Sequence, residues 1–132
     1  QNAVYIIKAN APINTEAHAN AQTQLSSGKV KFLQDERVAK VKLMGTKLGQ
    51  NMKPEERAEY LKPFTLTSIL KEEMMNLREN NEGVNIILDR ANKGIKKDKF
   101  SAFEYGLYYI KHEEDSKKKR KKFNAKDWCF LN

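Results

Sequence analysis

The sequence predicts an α/β domain, and three observations carry that prediction. Short β-branched or alternating apolar runs recur at residues 3–7, 29–33 and 84–88. Longer stretches with apolar residues three or four apart separate them, which is helical spacing. The resulting order, strand–helix–strand, then helices, a strand and a closing helix, is that of a sheet covered by helices. With 132 residues and 39% hydrophobic content, the chain suffices for one small domain.

Residues 3–7 (Ala-Val-Tyr-Ile-Ile) read as a short buried strand, followed by a turn at Pro12. A strand so close to the start, in a chain that opens on Gln, fits a sheet whose earlier strands lie elsewhere in a longer protein. Asn14 is an expected N-cap for a helix running to about Ser26, with Ala17, Ala21 and Leu25 as a narrow apolar stripe. Gly28 ends that helix, and Val30 and Phe32 alternate with lysines as a second strand. Residues 35–44 read as an amphipathic helix with Val38, Val41 and Leu43 or Met44 turned inward, and residues 45–53, with Gly45, Gly49 and Asn51, read as a loop.

Pro54 followed by Glu55 and Glu56 opens a helix that is expected to stop at Pro63. Thr67 or Ser68 then caps another, with Ile69, Leu70, Met74 and Leu77 on its apolar face, closed by residues 80–83. Residues 84–88 are the third strand. After a polar loop comes a helix over about 99–112, packed through Phe103, Leu107 and Ile110.

Charge divides the chain unevenly. The net charge is +8, and residues 115–127 hold Lys117, Lys118, Lys119, Arg120, Lys121, Lys122 and Lys126 against only Asp115 and Asp127. Such a run binds phosphate backbones by releasing counterions; it also fits a solvated helix end or a disordered tail. The mean hydropathy of -0.78 and the short apolar runs exclude a membrane-spanning segment. No signal peptide is visible, and Cys129 as the single cysteine excludes an internal disulfide and favours a reducing compartment.

Few side chains suggest chemistry. Asp98, between Lys97 and Lys99 at the start of the closing helix, could ligate a divalent cation while the lysines hold phosphate; helix capping is the plainer role. Asp89 reads as a turn former, and Glu104, six residues beyond Asp98, does not share its helix face. His18 has no acidic partner at i+4 and reads as a surface residue, while His112 suits a helix C-terminus. No phosphate-binding glycine loop is present.

Lys97-Asp98-Lys99-Phe100-Ser101-Ala102-Phe103-Glu104-Tyr105-Gly106-Leu107 resembles the end of the nuclease domain of large terminase subunits from tailed bacteriophages and prophages. Further matches follow in order: Ile6 and Lys8, Ser27-Gly28-Lys29-Val30, Glu55-Glu56-Arg57, Pro63-Phe64 and Leu70-Lys71-Glu72-Glu73. The resemblance covers residues 3–112. It implies an α/β, ribonuclease-H-like mixed sheet flanked by helices, present as an incomplete C-terminal portion over residues 1–114, with 115–132 a basic tail ending in an aromatic patch.

The resemblance further implies a metal-dependent endonuclease that cuts concatemeric viral double-stranded DNA during genome packaging. Asp98 would be its catalytic residue and ligand to Mg²⁺ or Mn²⁺, and Lys96, Lys97, Lys99 and the 117–122 run would contact DNA. The earlier acids of such a site belong to strands ahead of residue 3, so this chain alone is expected to be inactive. ATP would serve only a separate motor domain. The implied partners are DNA, the portal and the small terminase subunit, in the cytoplasm of an infected or lysogenic host. A non-enzymatic DNA-binding or packaging-assembly module is the alternative.

Overall fold

The computed structural model describes residues 5–129, with side chains as far as Lys119. In chain order the elements are α1 (Ala11–Ser26), α2 (Glu36–Met44), α3 (Lys47–Asn51), α4 (Pro54–Met75), β1 (Leu77–Glu82), β2 (Asn85–Arg90) and α5 (Asp98–Cys129).

This overturns the expected ribonuclease-H-like mixed sheet. Among the described residues the only sheet is the antiparallel hairpin β1–β2, in register from Leu77 opposite Arg90 to Glu82 opposite Asn85. Residues 84–88 do find a strand partner, but it is the polar segment Leu77–Glu82, which reads from sequence as the tail of a helix. Gly83, at φ +63°, supplies the left-handed backbone that the two-residue turn between the strands needs.

The two remaining strand expectations meet different fates. Ala3 and Val4 lie outside the described residues, while Tyr5, Ile6 and Ile7 belong to no strand. Residues 29–33 alternate as expected, yet they pair with no strand among the described residues. Their apolar side chain docks on a helix instead: the Phe32 ring lies 5.8 Å from that of Phe103. Lys71 holds this segment from the other side, donating to the Leu33 carbonyl at 3.2 Å with its ammonium 5.7 Å from the Phe32 ring centre.

Local chemistry explains the helix ends. Asn10, rather than Asn14, caps α1 by accepting from the Ile13 N–H at 2.9 Å, and Pro12 sits in the first turn where its missing N–H costs nothing. At the other end Gly28 N–H donates to Leu25 O and Lys29 N–H to Gln24 O, a Schellman closure made possible by φ +68° at Gly28. Asp35 caps α2 through the Arg37 N–H. Thr46 caps α3 through the Gly49 N–H, turning the expected 45–53 loop into a short helix.

Pro63 does not stop α4. It lies inside a 22-residue helix, where it removes one backbone donor. Packing offsets that loss: Leu61 is buried with Ala39 and Leu43 from α2, and Phe64 and Met52 press on the same cluster. Arg57 then ties α4 to α3, donating to the carbonyls of Gly49 and Met52 at 3.1 Å each.

A second packed region joins α1, the hairpin and α5. Ala17 and Ala21 on α1 are buried, as are Phe100 and Tyr108 on α5, and the two small alanines let the helices approach closely. Asn76, at the end of α4, clamps the hairpin exit. Its backbone and side-chain oxygens accept from Ala91 and Asn92 N–H at 2.8 Å, and its amide donates to Asn92 O at 2.9 Å. Among the described residues no helix is long and apolar enough to cross a membrane.

Candidate functional site

Asp98 is the first residue of α5 and is exposed. Its carboxylate stands at the helix N-terminus, where negative charge is favourable. The lysines around it do not form one phosphate cradle. Lys97 turns back to the hairpin and donates to Leu88 O at 3.1 Å. Lys99 turns to α4, with its ammonium 3.9 Å from Glu73 Oε1, while Lys96 is exposed.

Among the described residues no group of three or more His, Cys, Asp or Glu side chains is placed to hold a metal ion. A divalent cation needs several hard oxygen donors converging on one point. The residues present around Asp98 do not fit Mg²⁺ or Mn²⁺, and no metal-dependent step is derived for this chain.

Two buried carboxylates, neither marked out by its spacing, organise α5 instead. Glu73, 2% exposed, accepts from the Phe100 N–H at 2.8 Å and so serves α5 as a cap donated by α4. Glu104, 3% exposed, meets His18 across the α1–α5 contact, with Nδ1 2.5 Å from Oε2. His18 is therefore no surface residue. The partners are 86 positions apart, which is why a search at helical spacing misses the pair.

His18 lies where two cavities meet. One, of about 280 Å³, is mostly apolar and runs under the hairpin past Leu25, Met74, Ile86 and Phe100. The other, of about 410 Å³, is a polar cleft between α1, β2 and α5, with Asn14, Lys97, Ser101 and Tyr105 among its walls. Tyr105 donates to Asn14 Oδ1 at 2.7 Å across this cleft, and Thr15 Oγ1 accepts from Ile86 N–H at 3.0 Å. Burial raises the Tyr105 phenol above its ordinary value, and the Glu104 charge adds to the shift.

Further along α5 come its last contacts with the body among the described side chains. The Tyr109 ring lies 4.8 Å from that of Tyr5, tilted by 51°, and Lys111 and His112 face Glu16 at 3.5 and 3.9 Å. Tyr108 is raised chiefly by burial, then by the Glu16 and Tyr5 charges and its hydrogen bond to Glu16. Beyond this point α5 continues unbroken as a helix through the basic run. Lys117, Lys118 and Lys119 are exposed, with Lys118 3.7 Å from Asp115. The side chains of Arg120, Lys121 and Lys122, and the aromatic patch at 128–131, lie outside the described residues.

Compared with protein families, curated proteins and solved structures, the chain matches none of them. The arrangement separates a packed half of α5, held through the Glu73 bond to Phe100 N–H and the Glu104–His18 pair, from a cationic half that carries the strongest local charge in the sequence.

Proposed function

We propose that the chain is a non-enzymatic nucleic-acid-binding module whose contact element is the basic end of α5. The observation that carries this reading is the continuity of one helix, from the buried Phe100 and Tyr108 into the run of six consecutive cations at 117–122. Anchoring one half fixes where the other half is presented, so less freedom is lost on binding than for an unstructured tail. The cations supply affinity through phosphate neutralisation and carry no base readout of their own.

Double-stranded DNA is the proposed ligand, and holding viral DNA during packaging, alongside a portal and a small terminase subunit, is the proposed setting. Both come from the terminase resemblance. Binding is favoured over cutting because the nuclease reading relies on acids gathered at a sheet edge, and the two-stranded hairpin offers no such gathering.

An anisotropy titration of a labelled DNA duplex tests this reading. The comparison protein carries glutamine at Lys117, Lys118, Lys119, Arg120, Lys121 and Lys122. A loss of at least about tenfold in affinity, with helicity kept by circular dichroism, supports the assignment. Equal affinity removes α5 from the interface.

A further inference from the structure

The surface of α2 and α3 lies far in sequence from the basic run and has its own character. Of the positions that the sequence turns inward on α2, Leu43 is buried, together with Ala39, whereas Val38 and Val41 are exposed, Val41 by 73%. Helical spacing places Arg37 and Lys42 on either flank of the two valines. The hollow they line is shallow and open, on a single helix face.

Lys42 also borders a second concavity of about 320 Å³, where Leu43, Leu48 and Tyr60 form the apolar wall. Leu48 is 66% exposed and Tyr60 is exposed as well. The Lys42 ammonium donates to Gln34 Oε1 at 2.7 Å, which holds this cation between the two hollows. Lys47 stands exposed next to Leu48. Glu36 is the only acid on α2, and its backbone N–H faces Ser68 on α4.

We infer that the α2–α3 surface, with Val38, Val41 and Leu48 exposed between Arg37, Lys42 and Lys47, is a docking site for an acidic amphipathic helix of a partner protein. Charge complementarity selects the occupant. Arg37 and Lys42 flank the two valines, and Lys42 and Lys47 flank Leu48, which matches a helix whose apolar stripe is edged by glutamates. The hollow walled by Leu43, Leu48 and Tyr60 favours a helix over a lipid surface, because a helix offers a side-chain knob to fill it and a bilayer offers none. The site is independent of the DNA-binding reading: it uses none of the α5 cations.

The probe is a labelled synthetic helix of leucine and glutamate, about 16 residues long, with leucines at i, i+3, i+4 and i+7. It is titrated by anisotropy into protein carrying the six α5 glutamines, so that the basic run cannot capture it. Saturable binding is expected, weakened at least about tenfold both by Val38→Ser/Val41→Ser/Leu48→Ser and by Arg37→Gln/Lys42→Gln/Lys47→Gln. All six side chains are on the surface, and circular dichroism checks that each variant keeps its fold. Binding that persists in the serine variant overturns the inference, as does equal binding of a shuffled peptide with the same charge. Binding to phosphatidylserine vesicles with none to the peptide also overturns it, in favour of a lipid surface.

Discussion

His18 Nδ1 lies 2.5 Å from Glu104 Oε2, joining α1 to α5 through two side chains that are 12% and 4% exposed. A carboxylate this deep requires a partner, and removing one member of a buried pair leaves the other uncompensated. His18→Ala is expected to destabilise the protein by about 3 kcal/mol. Glu104→Gln, which keeps a hydrogen-bonding group opposite the ring, is expected to cost less. Urea denaturation measures both, and a His18→Ala loss under about 1 kcal/mol contradicts the structural role of the pair.

Glu73 is the cap of a helix that begins 25 residues later, through its 2.8 Å bond from Phe100 N–H. Glu73→Ala orphans that donor and is expected to cost about 2 kcal/mol, with Glu73→Gln retaining part of the loss. Hydrogen exchange at the first turn of α5 gives the local readout. Unchanged protection there in Glu73→Ala contradicts the capping role.

Gly49 is the point where α3 touches α2. A Cβ added to it would stand 2.7 Å from the Leu43 carbonyl carbon and 2.8 Å from Leu43 Cγ, inside any real contact distance. Backbone cannot yield as a flexible side chain does, so Gly49→Ala is expected to destabilise by about 1–3 kcal/mol. Gly106, whose added Cβ meets nothing within 4 Å, is the control: Gly106→Ala on the exposed side of α5 is expected to stabilise slightly. Equal effects at the two glycines argue against the α2–α3 packing described.

The raised Tyr105 and Tyr108 phenols give stability a pH dependence. A folded-state pKa above the unfolded value means that the native protein holds the proton more tightly. Their contribution is therefore whole below the ordinary value of 10.0 and is lost as pH rises through the folded values. Urea midpoints for the parent and for Tyr105→Phe/Tyr108→Phe, measured across that alkaline range, are expected to diverge less at high pH than at low pH. A parallel fall in both proteins contradicts the assignment.

Several helix starts were legible in the sequence. Asp35 marks the start of α2, Pro54 that of α4 and residues 97–99 that of α5, because caps and first-turn chemistry are local. The sheet was not legible. Val30 and Phe32 have a strand's alternation, but a strand also needs a partner, and Phe32 found Phe103 instead. Leu77–Glu82 has almost no strand character, and it pairs because Asn76 and the Gly83 turn hold it against β2. Pro63 misled for a similar reason: a single lost hydrogen bond was weighed without the Leu61 and Phe64 packing that outlasts it.

The same limit applies to the candidate site. Charge located the basic run, since the cations are consecutive and need no fold to be seen. Glu73 and Glu104 owe their roles to contacts 27 and 86 positions away, which no spacing rule reaches. Asp98, which stands out in the sequence for its position between two lysines and for its match to the resemblance, is an exposed helix-start residue whose neighbouring lysines turn in different directions.

The salt dependence of duplex binding tests the central claim most directly. If the 117–122 cations of α5 neutralise phosphates, log K falls steeply with log salt concentration, by about 0.9 for each phosphate contacted. Replacing all six with glutamine is then expected to flatten the slope by about 4 to 5 while leaving the folded body intact. Superimposable slopes for the parent and the six-glutamine protein would contradict the account, because the helix that α1, α4 and the hairpin hold in place would then play no part in binding.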